Sequence, residues 1–353
     1  MCLKLETGGT ERQLIAMARG LDRTRFQVHV GCFRSQGPWG RELREAGIEL
    51  AEFPLRSVRS VGALGVLRGL GVYLRERRIR LLHTFDPPST LLAVPVGRWF
   101  GTPFVISSQR GFRDAPGCES RGLVRLTDQM VDAIVVNSRA VRDDLISRDR
   151  VPASRLKLCY NGIDTTVFHA RERVANERPR IGTVAMLRPE KGLHTLVDAF
   201  AQLPRGAAEL VVVGEGAERA ALEARTVARG VAGECRFTGL TQDVAGELRR
   251  IDIFVLPSLS EALSNSLLEA MACGCAAVAS NAGGNPEVVE DGRTGLLFPA
   301  GDASALADRL RRLLGDPAMR TMLTGRGQAR VAEQFGIDRA VRCFEDLYTS
   351  LMR

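Results

Sequence analysis

Short apolar runs alternate with longer stretches of helical periodicity along this 353-residue chain, and the series runs twice. Apolar runs of strand length between turn residues read as buried strands. Strands separated by helices are the pattern of parallel, doubly wound sheets. In the first series the strand candidates are residues 26–33, 48–53, 79–84, 103–107, 133–137 and 156–160. In the second they are residues 181–186, 209–213, 234–237, 251–256, 276–279 and 294–298. Residues 170–179, rich in Arg and Glu and without apolar periodicity, read as the linker. Helical stretches follow Asp302 and Asp316, and a last one covers residues 337–353. The expected fold class is α/β, with two Rossmann-like domains over residues 1–168 and 169–336. Two such halves imply a cleft, with ligands outside the carboxyl ends of the strands.

The amino end departs from this regularity. A full strand normally precedes the first glycine loop of such a domain, yet only residues 2–6 stand before Gly8-Gly9. Either the first strand is short or the natural start lies several residues upstream.

The formal charge of +8 comes almost wholly from arginine, since Lys4, Lys157 and Lys191 are the only lysines. A basic balance suits anionic partners such as sugar nucleotides, a phospholipid surface or nucleic acid. Aromatic residues make up 5% of the chain and no aromatic-and-basic stacking module is present, so nucleic-acid binding is not expected. No uncharged run of about 18 apolar residues occurs, and residues 1–6 lack the apolar stretch of a signal peptide. A cytoplasmic protein is expected, with its eight scattered cysteines reduced. The segment 64–80 combines Leu67, Leu70 and Leu74 with five arginines. It reads as a solvated helix face or as a peripheral contact with an anionic inner membrane.

Chemistry concentrates in a few places. Glu261-Ala-Leu-Ser-Asn-Ser-Leu-Leu-Glu269 follows an apolar run that Pro257 stops, and helical spacing continues to Gly274. Ser264 or Asn265 is a plausible N-cap, leaving N–H groups of residues 265–267 to hold a phosphate. The two carboxylates lie about 12 Å apart if every step is helical, and less if Glu261 sits in the loop. On spacing alone they read as solvated glutamates on a surface helix. Lys191, in Arg188-Pro-Glu-Lys191-Gly192, stands between a strand end and a helix, where it can act as a point charge on phosphate or rest in solvent beside Glu190. Gly8 and Gly9 let a ligand approach a helix start, and Thr10 and Gln13 have capping-box spacing. An ordinary βα turn fits Gly8 and Gly9 as well. The four histidines form no metal spacing, and no carboxylate pair is placed for a metal-bound diphosphate.

The Glu261–Glu269 segment, with Glu-Ala-Met-Ala-Cys-Gly running from Glu269 and then Gly283-Gly284-Asn285-Pro286-Glu287, closely resembles the signature of retaining glycosyltransferase family 4. The resemblance covers nearly the whole chain and is most specific between residues 180 and 300. It implies the GT-B fold, with residues 337–353 crossing back to the first domain. It also implies a hexosyltransferase that moves a sugar from a UDP- or GDP-sugar to a hydroxyl, with retention. No metal or cofactor is implied, the nucleotide sugar being a co-substrate. In that family's terms Glu269 binds the donor ribose and Glu261 the sugar. Backbone groups of Leu263, Ser264, Asn265, Ser266 and Leu267 hold sugar and phosphates. Lys191 matches the phosphate-binding lysine, but Met186 stands where the family has an arginine, and Arg188 is the nearest substitute. Gly8-Gly9 matches the N-terminal glycine loop, and Arg110 falls where the family often has a histidine near sugar or acceptor. The acceptor implied is a cell-envelope glycan or a lipid-linked sugar. A sugar-nucleotide epimerase of similar fold and a non-catalytic sugar-nucleotide binder are the rival readings. A dinucleotide dehydrogenase lacks its Gly-x-Gly-x-x-Gly.

Overall fold

A computed structural model describes the chain apart from Thr7 and residues 35–36, 38, 56, 58–61, 114–120 and 171–177, so most of the expected linker lies outside the described residues. In chain order the elements are β1 (Cys2–Lys4), α1 (Gly9–Gly20), β2 (His29–Arg34), α2 (Trp39–Glu45), β3 (Glu49–Glu52), α3 (Ala63–Glu76), β4 (Leu81–Thr84) and α4 (Pro87–Trp99). Then come β5 (Phe104–Gln109), α5 (Arg121–Met130), β6 (Ala133–Val136), α6 (Arg139–Asp149), β7 (Leu156–Leu158), β8 (Arg180–Val184), α7 (Leu193–Phe200) and β9 (Glu209–Val213). The remainder is α8 (Arg219–Ala228), β10 (Cys235–Gly239), α9 (Val244–Arg249), β11 (Ile253–Leu256), α10 (Asn265–Ala272), β12 (Ala276–Ser280), α11 (Asn285–Val288), β13 (Leu296–Phe298), α12 (Ala303–Gly315), α13 (Pro317–Phe335) and α14 (Ile337–Met352). Each of the strands β2 to β13 overlaps the apolar run that predicts it. The run at 26–33 starts early because Phe26 belongs to a turn, its N–H donating to the Asp22 carbonyl at 2.9 Å.

Internal contacts divide the chain into two compact units, Met1–Gly162 with Ile337–Arg353, and Ile163–Gly336. The second unit carries one six-stranded sheet in the order β10-β9-β8-β11-β12-β13, all parallel. Strands β11 and β12 are wholly buried, as an all-parallel sheet covered on both faces requires. Leu196, Val197 and Phe200 of α7 and Leu306, Leu310 and Leu313 of α12 join Ile181, Leu210 and Val255 of the sheet in one core. From β8 the chain winds outward through β9 and β10, then returns to lay β11 on the other side of β8. The gap beyond the carboxyl ends of β8 and β11 is therefore the place where strand order reverses, and ligands of such sheets bind there.

The first unit has its strands in two pieces, β1-β2-β3 and β4-β5-β6-β7. They meet at Met1, whose amino group donates to the His83 carbonyl at 2.7 Å and whose carbonyl accepts from the Phe85 N–H at 3.0 Å. The first strand is short, covering three residues. Helix α14 belongs to this unit, where Val341, Phe344 and Tyr348 pack with Leu14 and Ala18 of α1 and with Leu21 just beyond it.

Candidate functional site

In the second unit, the loops after β8 and β11 meet. The β8 loop ends in a single 3-10 turn, Pro189–Lys191, and Gly192 follows in the left-handed region at φ 61°. A side chain at Gly192 would collide with the Pro257 carbonyl, so glycine is required twice over, by conformation and by space. The Leu259 N–H donates to the Glu190 carbonyl at 2.9 Å and ties the two loops together. In that frame the Lys191 ammonium lies 2.7 Å from Glu261 Oε2, with both side chains mostly buried. Ser258, fully buried, donates to the same carboxylate oxygen at 3.2 Å. The Glu261 carbonyl also accepts from the Gly284 N–H at 3.0 Å, which draws the Gly283-Gly284 loop to the same point.

Glu261 lies in the loop, outside α10, so the all-helical spacing of the two carboxylates does not hold. Glu269 is inside α10 and 2% exposed, which removes the reading of two solvated glutamates on one helix face. Ser264 is the N-cap, and its hydroxyl accepts the Leu267 N–H at 3.3 Å. The expectation that N–H groups of residues 265–267 all stay unpaired is corrected by that bond. Ser264 and Ser266 hydroxyls also face each other at 3.1 Å. Leu263 and Leu267 are buried behind this start, and Asn265 opens the helix.

Arg188 is about half exposed, at 3.9 Å from Glu190 and 3.5 Å from the Met186 sulfur. The Lys191–Glu261 pair removes the alternative reading of a lysine resting in solvent beside Glu190. The Gly214-Glu-Gly216 turn packs under this loop, and the Leu187 N–H donates to the Glu215 carbonyl at 2.9 Å. A side chain at Gly214 or Gly216 would strike the carbonyls of Ala185 and Leu187.

In the first unit, Gly8 is the N-cap of α1 and no side chain caps the helix. The capping-box reading of Thr10 and Gln13 is therefore overturned. Gln13 instead binds the backbone of Gly162 twice, donating at 2.8 Å and accepting at 2.9 Å. Gly9 opens the helix, and a side chain at Gly8 would run into the Glu11 carboxyl. Burial, more than any neighbour, raises that carboxyl's pKa. Arg110, at the end of β5, donates to Asn161 Oδ1 at 2.5 Å and lies 5.8 Å from the Phe85 ring centre. Burial pulls its pKa down to about 10. His83 is buried between Tyr348 Oη at 2.7 Å and Ser108 Oγ at 2.8 Å, and burial holds its pKa well below the ordinary value. Among the described residues no cluster of three or more His, Cys, Asp or Glu could hold a metal ion.

Sequence reasoning did not pick out Ser258 as a partner of Glu261; its place in the Pro-Ser strand end is the signal that could have found it. It also missed the contact of His194 Nε2 with Glu218 at 2.6 Å, for which no local pattern exists.

Two family models match, side by side: Glycosyltransferase Family 4 over residues 7–167 and Glycosyl transferases group 1 over residues 164–330. The chain belongs to the family 4, group 1 glycosyltransferases. It resembles the lipopolysaccharide core biosynthesis glycosyltransferase LpsE of Rhizobium meliloti, 32% identical over 62% of this chain and 64% of that protein. The sulfoquinovosyl transferase SQD2 of Arabidopsis thaliana is 31% identical over 57% of this chain and 41% of its own length. The chain thus matches less than two thirds of the length of these curated relatives. Among solved structures, HepE of Anabaena in complex with UDP superposes with a TM-score of 0.85 at 21% identity, covering 99% of both chains. A glycosyltransferase from Rickettsia africae gives 0.86 at 16% identity, covering 100% of this chain and 97% of that one. These likenesses show the GT-B fold of family 4. Among the described residues no helix is long and apolar enough to cross a membrane.

Proposed function

We propose that this family 4 member transfers a sugar from a UDP- or GDP-sugar to a hydroxyl of a cell-envelope glycan or lipid-linked acceptor, with retention and without a metal. The observation that carries the reading is the Lys191–Glu261 pair, 2.7 Å apart where strand order reverses and beside the capped start of α10. A helix start and an ammonium supply the positive field that a leaving diphosphate needs. Before donor arrives, Glu261 holds that ammonium and neutralises it. With donor bound, Lys191 moves to the phosphates, and the carboxylate is released to the sugar, where it stabilises positive character at the anomeric carbon. Ser258 keeps Glu261 aimed while its partner changes. Glu269 receives the ribose hydroxyls, and the backbone of Leu263 to Leu267 lines the sugar and phosphates. Arg188 takes the place of the second phosphate cation, which Met186 vacates. In the first unit Gly8 and Gly9 give close backbone approach to the donor, and Arg110 contacts sugar or acceptor. Retention follows from a front-face route in which the leaving phosphate assists the acceptor hydroxyl. LpsE's role in lipopolysaccharide core synthesis supports an envelope acceptor, and the UDP complex of HepE supports a uridine donor. The exposed arginines of the segment 64–80 support a peripheral contact with an anionic membrane through charge, while Leu70 and Leu74 are buried in the unit's own core.

A panel of UDP-, GDP- and ADP-sugars tests the donor by thermal shift, because ligand at about 100 times its Kd stabilises the fold by about 2.7 kcal/mol. Turnover of the stabilising sugar in excess EDTA then tests the route. Activity is expected to persist, and complete loss that magnesium restores would end the metal-free mechanism.

A further inference from the structure

Two thiols far apart in sequence meet inside the first unit. Cys159 directly follows β7 and Cys343 stands on α14, 184 positions later, yet their sulfurs lie 2.6 Å apart. An S–S bond is only about 0.5 Å shorter, so bond formation needs little movement. The meeting rests on how closely α14 approaches the chain beyond β7. A side chain at Gly162 would strike Ile337 and Ala340, so glycine there lets the helix close in. Cys343 lies three residues beyond Ala340, on the same face of the helix. Further along, α14 is held by Tyr348 Oη, 2.7 Å from His83 Nδ1, and by Glu345, which accepts the Asp22 N–H at 2.8 Å. The two thiols differ in setting. Cys159 is buried, whereas Cys343 is half-buried and open to small solutes. The hydrogen bond from Cys159 draws the Cys343 thiol below its ordinary pKa, and that bond, with burial, pushes the Cys159 thiol up. A reachable sulfur poised as thiolate, with a second sulfur shielded behind it, is the arrangement of an attacking and a resolving cysteine.

We propose that Cys159 and Cys343 are a reversible redox pair, joined by hydrogen peroxide and parted by a dithiol, whose disulfide locks α14 onto the end of β7. Cys343 attacks one oxygen of the peroxide. The O–O bond breaks, and the leaving oxygen takes up the thiol's proton and departs as water. Cys159 then attacks the sulfenic acid left on Cys343. The S–S bond forms as the S–O bond breaks, and the hydroxide leaves with the Cys159 proton as a second water. Two thiols are oxidised and one peroxide is reduced. A dithiol returns the electrons by exchange through a mixed disulfide. The chain leaves the first unit after Gly162 and returns at Ile337, so the bond closes a loop around all of Ile163–Gly336. Such a link restricts the unfolded chain and keeps α14 seated when the second unit unfolds. The inference is independent of the proposed sugar transfer.

The test treats the full chain with a small molar excess of hydrogen peroxide and maps its disulfides by mass spectrometry of peptides. A Cys159–Cys343 cross-link is expected, forming about tenfold faster in the native chain than in urea and lost on adding dithiothreitol. Amide exchange across α14 should slow about tenfold in the oxidised protein relative to the reduced one, and Cys343→Ser should lose both the link and the change. In Cys159→Ser, Cys343 should stop at sulfenic acid and be trapped by dimedone, while Cys159 in Cys343→Ser should stay unlabelled. A link that forms equally fast in urea would overturn the proposal. So would a link from Cys343 to another cysteine or another copy, or sulfinic acid on Cys343 with Cys159 still free. Unchanged exchange in the linked protein would show that α14 is not locked, and reversed dimedone labelling would overturn the assigned roles.

Discussion

The two units reverse strand order in different ways. In the second, β8 and β11 are laddered neighbours, and the loops leaving them are locked by Gly192, by the Glu190–Leu259 bond and by the Lys191–Glu261 pair. In the first, β1 and β4 touch through two backbone bonds at Met1, and the helix that follows opens on glycines with its own Glu11 folded over the start. One reversal point is a fixed frame carrying opposite charges. The other is a short junction with an uncapped helix start. In a Rossmann-like sheet, ligand binding depends on how rigidly two loops are held across the gap. The second unit holds its loops with a pair of opposite charges. The first holds its junction with backbone bonds at Met1 and with the Asp86 carboxylate, which accepts the Leu3 N–H at 2.8 Å.

Changes in the second unit should therefore act on catalysis most strongly. Lys191→Ala removes the cation proposed to meet the leaving diphosphate, and turnover should fall about 100-fold, or roughly 3 kcal/mol. Unchanged single-turnover rates would move that role to Arg188. Gly192→Ala attacks the frame. Its left-handed backbone and the Pro257 carbonyl should cost about 2 kcal/mol, read as a lower denaturant midpoint for the second unit alone. A shift shared equally by both units would show that they unfold together and that the contrast between them is not one of stability. Glu261→Gln and Glu269→Gln keep shape and remove charge. The first should lower kcat by about tenfold with little change in donor affinity, and the second should raise the donor KM by a similar factor. If the effects are exchanged, so are the roles.

The smallest effect belongs to the first unit. His83 is buried and its folded pKa lies well below 6.5, whereas the unfolded chain protonates it near that value. The unfolded state thus binds more protons below pH 6.5. The stability that neutral His83 contributes is complete above that pH and declines as pH falls, by about 1 kcal/mol at pH 5.5. Urea titrations of wild type and His83→Gln at the two pH values check this, and the variant should lack the slope.

The alternation of apolar runs and helical stretches made the central strands β9, β11 and β12 legible, because a strand buried on both faces leaves a continuous apolar signature, whereas the half-buried edge strand β10 shows it only in part. Glycine and Pro257 marked the loops for the same reason: their backbone demands are local. What stayed hidden depends on partners distant in sequence. The Thr10–Gln13 spacing suggests a cap, yet Gln13 finds Gly162, 149 residues away. Lys191 and Glu261 are 70 residues apart and meet because strand order reverses between their strands. No periodicity in either segment encodes that meeting.

The scarcity of lysine turns the Lys191–Glu261 pair into a natural reporter. An amine-selective acylating reagent has three lysine targets in this chain, plus the amino terminus. Lys157 is exposed and should be modified first. Lys4 is held by Glu6 on the surface, and the terminal amine is engaged by the His83 carbonyl. Lys191, mostly buried and held by Glu261, should be the slowest lysine. Mass-resolved labelling at increasing salt would follow the loosening of a single ion pair, a measurement that arginine-rich proteins of ordinary lysine content do not allow.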